Sequence, residues 1–389
     1  MRVLAALSGG VDSAVSAARI QAAGHEVVGV HMALMRHRAA IRQGSRGCCS
    51  IEDASDARRA ADRLGIDFYV WDLSEEFEDL VVRDFLDTYA AGRTPNPCIR
   101  CNEFIKFQVL LRRAVALGFD AVATGHYARL EVAAPPWVGV HGPVEHSAPG
   151  GSGPRPGGVI LRRAVDLAKD QSYVLAAAGP AALRRCLFPL GTAPSKAAVR
   201  AEAAALGLPV AAKPDSYDVC FVADGDTKRF LRARLGAQPG VIVDQSGTEV
   251  GQHDGAYQFT VGQRRGLRLS RPGADGRPRY VTSVDPAAGV VRVGPVEALD
   301  VSRFGLRGPV FLDAGAPAAL AAGGTLGCDV QIRAHGAPLA CEVSAAPGGS
   351  ADALEVALVD SHRGVASGQT AVLYDGDRVI CSGTIERTK

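Results

Sequence analysis

Nowhere in the 389 residues do 18 apolar residues run together, so the chain offers no segment able to cross a bilayer as a single helix. No leader is expected either: Met1 passes straight into a strand-like run from Val3 to Leu7, with no charged-then-apolar segment ending in a cleavage site, and the cytoplasm is the expected location. An excess of one charge sign is missing too. Lys and Arg number 43 against 41 Asp and Glu, a net +2, so the whole-chain charge is silent about a polyanionic partner. Cysteine is too sparse for a secreted disulfide framework, and its number, nine, is odd, so the thiols are expected to be reduced and any cluster of them is a candidate for chemistry or metal. What is present is ordinary for a globular chain: 47% hydrophobic and 22% charged residues, 45 Gly and 22 Pro, and length for two or three domains. Collagen-like, coiled-coil and mucin-like readings fall away.

The first half alternates strand and helix. Apolar strands are expected over 2–7, 26–32, 67–73 and 121–125, with helices over 14–23, 51–64 and 104–117, the pattern of a parallel sheet covered by helices, whose ligands sit at the carboxyl ends of the strands. Residues 133–158 break it: 13 of these 26 are Pro or Gly, which reads as a disordered surface insertion, and a strand-like 159–163 resumes directly after it. An Ala-rich helix over 195–206 follows. Beyond about Pro278 helical periodicity is lost and short alternating strands take over, at 280–284, 290–293, 330–333, 355–358, 370–374 and 379–382, which predicts an all-β C-terminal domain, a small barrel. The expected division is 1–194, 195–275 and 276–389.

Charge is uneven along this order. Between Lys228 and Tyr280 ten basic residues (Lys228, Arg229, Arg232, Arg234, Arg264, Arg265, Arg268, Arg271, Arg277, Arg279) face four acidic ones (Asp244, Glu249, Asp254, Asp275), the footprint that a polyanion's phosphates would contact.

Three segments carry chemistry. Ser8-Gly9-Gly10-Val11-Asp12-Ser13 lies between the first strand and the first helix, where glycine amides and the helix N-terminus can surround an anion. Asp12 would repel phosphate unless a divalent cation bridged them, which points to magnesium, and the Gly-Lys-Ser/Thr ending of a Walker loop is absent. Met32 and Gly125, at carboxyl ends of expected strands, are placed to frame a base. The second segment, Gly92-Arg93-Thr94-Pro95-Asn96-Pro97-Cys98-Ile99-Arg100-Cys101-Asn102, is read as a stiff extended approach that presents two thiols just before a helix, where the helix dipole favours a thiolate. Such a pair serves as a redox couple, as half of a metal site, or as a nucleophile with its neighbour; no second Cys or His pair stands at zinc spacing. The third, from Lys213 to Phe221, places Cys220 in a polar context as a sulfur-carrier candidate. Cys48, Cys49, Cys186, Cys328, Cys341 and Cys381 are read as packing residues.

These three segments, together with Cys48-Cys49-Ser50, Ile105-Lys106-Phe107, Ala123-Thr124-Gly125-His126-Tyr127-Ala128-Arg129, Lys169-Asp170-Gln171-Ser172-Tyr173, Phe188-Pro189-Leu190-Gly191 and Thr260-Val261-Gly262-Gln263-Arg264-Arg265-Gly266-Leu267, closely resemble the tRNA-specific 2-thiouridylase family, within the pyrophosphate-loop ATP pyrophosphatases. The match runs in order from residue 1 to about 285. It is looser beyond that, through Ile332-Arg333 and Ser367-Gly368-Gln369.

The resemblance implies an adenine-nucleotide-hydrolase-like parallel sheet domain, a central tRNA-binding domain and a C-terminal barrel. It implies ATP, with Mg2+ through Asp12, on Ala6, Leu7, Ser8, Gly9, Gly10, Val11, Asp12, Ser13, Met32 and Gly125. It implies tRNA on Asn96, Pro97, Cys98, His126, Lys169, Asp170, Gln171, Arg264, Arg265, Arg333 and Gln369. The implied reaction adenylates the C2 oxygen of the wobble uridine and replaces it with sulfur from a persulfide on Cys220, with Cys101 as nucleophile and AMP and diphosphate released. A sulfur-relay protein or cysteine desulfurase is the implied donor, and the enzyme a monomer. Some relatives carry Asp where Cys98 stands, which makes Cys98 auxiliary; an iron–sulfur cluster on Cys98, Cys101 and Cys220 is left open. Tyr217 stands where the family usually has Gln. Two other classes compete, a small-molecule amide-forming ligase with the same loop and a non-catalytic RNA-binding protein. Dependence of ATP turnover on tRNA or on a small amine separates the first, and ATP binding without pyrophosphate release marks the second.

Overall fold

The computed structural model describes residues 1–35, 51–132, 158–215, 219–222, 225–269, 276–347 and 352–388. Expectations for Cys48, Cys49, residues 133–157, Tyr217 and Arg271 lie outside the described residues.

The N-terminal unit is built on a five-stranded sheet. Its first strand, β1 (Arg2–Ala6), is apolar on both faces, with Val3 and Leu4 fully buried, as a central parallel strand requires. It pairs in parallel with β2 (Glu26–Ala33) on one side and β4 (Ala121–Ala123) on the other, and β3 (Asp67–Asp72) forms the edge beyond β2. The helices between are α1 (Val11–Ala22) and α2 (Ile51–Leu64). Past β4 the expected strand 159–163 does not join this sheet. It is β6 (Val159–Arg162), which pairs antiparallel with β5 (Arg129–Val132) and touches the last barrel strand at Arg378. The sheet's remaining strand is instead the two-residue β7 (Cys186–Leu187), too short to leave a periodic signal, giving the order β3-β2-β1-β4-β7.

The central sheet has the order β10-β11-β8-β9, from β8 (Gly240–Val243), β9 (Glu249–His253), β10 (Tyr280–Asp285) and β11 (Val290–Gly294). Sequence reading placed the segments that become β10 and β11 in the C-terminal barrel; they face Ile242, Phe259 and Leu267 in one apolar core instead. Likewise helix Lys196–Ala205, read as opening the central unit, packs Val199 and Ala203 against Val11, Ala14 and Val15 of α1. Arg19 to Glu202, at 2.6 Å, ties the two helices.

The barrel has six strands, β12 (Asp300–Phe311), β13 (Leu326–Gln331), β14 (Leu339–Ala345), β15 (Ala353–Arg363), β16 (Thr370–Asp375) and β17 (Arg378–Thr388), in the order β12-β15-β14-β13-β16-β17, closed by pairing of β17 with β12. Closure removes the exposed edges that an open sheet would present. The expected barrel is thus present, starting at Asp300. Its outer wall is fused to the N-terminal unit: Phe107, Tyr173, Leu175, Val372, Tyr374 and Val379 share one apolar cluster. Each such side chain contributes about 1.5–3 kcal/mol on burial.

Candidate functional site

β1 delivers the chain into a tight loop. Gly9 holds φ +79°, and a Cβ there would lie 2.3 Å from the Asp53 carbonyl oxygen, so neither the backbone angle nor the space admits a side chain. Gly125, just past β4, presses on the other side; its Cβ would meet Ser13 N at 2.7 Å. The loop braces itself, the Ser8 amide donating to Ser13 Oγ at 3.1 Å and that hydroxyl donating to the Gly10 carbonyl at 3.0 Å. α1 starts at Val11 with Gly10 as a cap that brings no side-chain hydrogen bond, so its first-turn amides are set to receive an anion. Ala6 and Leu7 are buried behind the loop, and half-buried Met32 sits at the end of β2. The Ser8–Ser13 loop is thus packed between Asp53 on one side and Gly125 on the other.

Cations flank this loop from segments distant in sequence. Asp12 accepts from Tyr127 Oη at 2.6 Å and from Lys196 Nζ at 2.5 Å. Lys196 is simultaneously 2.9 Å from Asp215, which also takes Lys169 at 3.0 Å and Arg200 at 2.9 Å. Burial alone would raise the Asp215 pKa, yet the hydrogen bonds from Lys196 and Lys169 outweigh it and bring the carboxyl down to about 2. Burial and the hydrogen bond to Asp12 push the Tyr127 hydroxyl far above its ordinary range, so it stays protonated as a donor. On the opposite side Lys213 Nζ donates to the Gly9 carbonyl at 3.0 Å and is held by Asp53 at 2.7 Å and Asp56 at 2.5 Å. Sequence reading set Lys213 beside Cys220 and gave Lys196 and Tyr127 no role. What it missed is a cation held against the loop from outside it, Lys196 on Asp12.

Cys101 and Cys220 pack in one cluster with Leu34 and Leu73, the residues just beyond β2 and β3. The two prolines were expected to hold an extended approach, but Asn96 caps a helix at once, its Oδ1 accepting from the Ile99 amide, and Pro97 occupies the first helical position, where a missing N–H costs nothing. The helix runs from Pro97 through a wide π-type stretch, Cys101–Leu110, to Leu111–Ala116, so Cys98 and Cys101 sit inside its opening turns rather than ahead of it. π turns are uncommon and gather at functional sites. Cys98 is exposed. Cys101 and Cys220, far apart in sequence, are both partly buried against one apolar cluster formed by Leu34, Leu73, Phe77, Phe85 and Phe221. Phe221, next to Cys220, meets Phe85 edge-on with ring centres 5.0 Å apart and Phe77 at 5.8 Å, which anchors the segment that holds Cys220. Among the described residues no group of three or more His, Cys, Asp or Glu side chains is disposed to hold a metal.

Several expected tRNA contacts turn inward. The Asp170 side chain is 5% exposed, and accepts from the Ala164 and Ser172 amides, Ser172 Oγ and Arg163. Gln171 pairs with Tyr127 through side chain and backbone. Arg163 stacks 3.6 Å above the Tyr374 ring and Tyr173 donates to the Thr370 carbonyl at 2.7 Å, so the Lys169–Tyr173 block is a joint between sheet unit and barrel. His126 is 7% exposed, 2.7 Å from Thr124 Oγ1 and 3.4 Å from Lys106 Nζ; burial, then the Lys106 charge, lower its pKa well below the usual histidine value, and the ring is neutral. Gln369 donates to the Thr94 and Pro95 carbonyls, both at 3.1 Å, clasping the segment ahead of Cys98. Arg333 is exposed and donates to the Gly364 carbonyl. In the basic stretch, Arg232 and Arg234 are paired with Asp254 and Glu78. Arg264, Arg265 and Arg268 are exposed, with no carboxylate partner among the described residues.

Comparison with known proteins covers the whole chain. Residues 1–224 match the family described as tRNA methyl transferase HUP domain, 228–295 its PRC-barrel domain, and 309–385 the aminomethyltransferase beta-barrel domain. The tRNA-specific 2-thiouridylase MnmA of Beutenbergia cavernae is 60% identical over 389 residues, covering 100% of this chain and 95% of that protein. Those of Mycolicibacterium smegmatis and Acidothermus cellulolyticus are 54% and 55% identical, covering 100% of this chain and 100% and 98% of theirs.

Proposed function

The chain belongs to the tRNA-specific 2-thiouridylase family, and from that premise we propose that it replaces the C2 oxygen of a tRNA wobble uridine with sulfur at the expense of ATP. The observation that carries this reading is the gathering of Cys101 and Cys220 on one apolar wall at the carboxyl ends of the sheet that also builds the phosphate loop.

ATP takes the loop from Ser8 to Ser13, its phosphates facing the α1 amides and its base framed by Met32 and Gly125. Magnesium brought with the nucleotide would be held on the protein side by the Asp12 carboxylate and would offset the negative charge of the phosphates. Uridine O2 attacks the α-phosphorus and diphosphate leaves. The persulfide on Cys220 then attacks C2 and AMP leaves; Cys101 cleaves the sulfur–sulfur bond, freeing the thiolated base and leaving a Cys101–Cys220 disulfide for an external reductant. The apolar wall keeps water from competing for the activated carbon.

Arg264, Arg265 and Arg268 supply the tRNA-facing charge of the central sheet, with Asn96, Pro97 and Lys169 nearer the site. The three units are a catalytic unit, a central tRNA-binding unit and the barrel. A sulfur-relay protein or a cysteine desulfurase charges Cys220 in the cytoplasm, and the enzyme works as a monomer. No helix among the described residues is long and apolar enough to cross a membrane. The test is tRNA-dependent diphosphate release coupled to the mass of the modified uridine. Turnover driven by a small amine without tRNA would replace this reading with that of a small-molecule ligase.

A further inference from the structure

The barrel holds three thiols for which the proposed reaction has no use, Cys328, Cys341 and Cys381, and two of them share a rung. Cys328 on β13 and Cys341 on β14 stand directly opposite one another in the antiparallel ladder, between the pairs Leu326 with Val343 and Val330 with Leu339, with no slip of register. Opposed residues of such a ladder have Cα atoms about 4.5 or 5.5 Å apart, and both values fall inside the roughly 4.4–6.8 Å that a disulfide spans. Their sulfurs are 3.7 Å apart, in contact as free thiols. Packing alone asks for two small apolar side chains; it does not ask for two sulfurs on one rung.

The two differ in access. Cys341 is 4% exposed and part of the barrel core, whereas Cys328 is only half-buried at its edge. The hydrogen bond with Cys341 lowers the Cys328 pKa against burial and against Asp329 and Asp375, while the same bond, then burial, raises Cys341. The reachable sulfur is thus the one that ionises, and its neighbour holds the proton.

We infer that Cys328 and Cys341 are a redox-active pair that a hydroperoxide closes to a cross-strand disulfide. The Cys328 thiolate attacks a peroxide oxygen: a sulfur–oxygen bond forms, the oxygen–oxygen bond breaks, and the departing oxygen leaves as water after protonation. The Cys341 sulfur then attacks Cys328: the sulfur–sulfur bond forms, the sulfur–oxygen bond breaks, and the second oxygen leaves as water with the proton that Cys341 gives up. Two thiols lose two electrons and one hydrogen peroxide becomes two waters.

The test uses the full chain, reduced with a phosphine, freed of reductant, exposed to hydrogen peroxide, alkylated in denaturant and mapped by peptide mass spectrometry. The expected result is a linked Cys328–Cys341 peptide that phosphine reverses, and a dimedone-reactive sulfenic acid on Cys328 in Cys341→Ser. The wild-type map stands on its own even where that variant fails to fold. Full alkylation of both residues after peroxide, sulfinic acid on Cys328 without a link, or a link from Cys328 to the buried Cys381 overturns the inference.

Discussion

Lys196 Nζ lies 2.5 Å from Asp12 Oδ2 and 2.9 Å from Asp215 Oδ1, a cation 13% exposed and clamped between the phosphate loop and the segment that leads to Cys220. In the proposed reaction a loop without its own lysine needs such a charge where diphosphate departs, and Lys196 need only redirect a hydrogen bond from a carboxylate to a phosphate oxygen. Lys196→Met is expected to lower tRNA-dependent diphosphate release roughly 100-fold while tRNA affinity is unchanged. A rate near wild type would leave Lys196 as a structural clamp.

The same cluster sets a pH dependence. The native Asp215 carboxyl titrates at about 2 against an ordinary 3.8. A depressed native value stabilises the fold above the unfolded pKa, and that stability is lost as pH falls from about 4 toward 2, up to about 2 kcal/mol for this group. Asp215→Asn removes the charge at every pH. Urea midpoints of wild type and variant are therefore expected to differ at pH 7 and to converge across that acid window; a gap independent of pH would show that the ion pairs are not its source.

These partners mark where sequence reading stops. The loop from Ser8 to Ser13 was legible because its position between an apolar strand and a helix, and its adjacent glycines, are local facts; Gly9, at φ +79° against Asp53, shows why glycine is needed. Cys101 and Cys220 were legible by residue type and context. The contacts Lys196–Asp12 and Tyr127–Asp12 join residues from separate elements and follow no local period. Asp170 and Gln171 show another limit: a polar residue in a motif reads the same whether it faces a ligand or, as both do here, bonds the protein's own backbone. The prolines at 95 and 97 erred similarly, since only the Asn96 cap reveals that Pro97 starts a helix.

The clasp on the Cys98 segment gives a third expectation. Gln369 makes two hydrogen bonds to the Thr94 and Pro95 carbonyls, and Gly368, at φ +91°, would place a Cβ 2.9 Å from Arg93 Cβ. Gln369→Ala is expected to slow thiolation about tenfold, with ATP affinity unaltered, because two such bonds hold the helix that carries Cys101. Gly368→Ala adds backbone strain of about 1–3 kcal/mol. Thermal melts and single-turnover thiolation check both, and unaltered turnover in both would dismiss the clasp.

Salt reports on the arginines. Arg264, Arg265 and Arg268 are exposed on the turn that follows the central sheet's β9. If they neutralise tRNA phosphates, the triple Ala variant weakens binding across tRNA sequences and flattens the plot of log affinity against log salt by up to about one unit per residue. An unchanged slope returns them to the solvent.

The cysteines are separated by substitution. Cys101 and Cys220 share an apolar wall that is distinct from the clusters behind the phosphate loop, so serine at either position removes the sulfur and leaves the loop's packing alone. Cys101→Ser and Cys220→Ser are each expected to abolish thiolation, by about 1000-fold or more, while ATP and tRNA still bind. Cys98 is different: it is exposed in the first helical turn, where a carboxylate is favoured by the helix N-terminus. Cys98→Asp is therefore expected to keep appreciable thiolation, an outcome that an obligatory Cys98–Cys101 redox couple does not survive. Full activity of Cys220→Ser with a persulfide donor would remove the carrier role, because no other half-buried thiol in the structure shares Cys101's wall among the described residues.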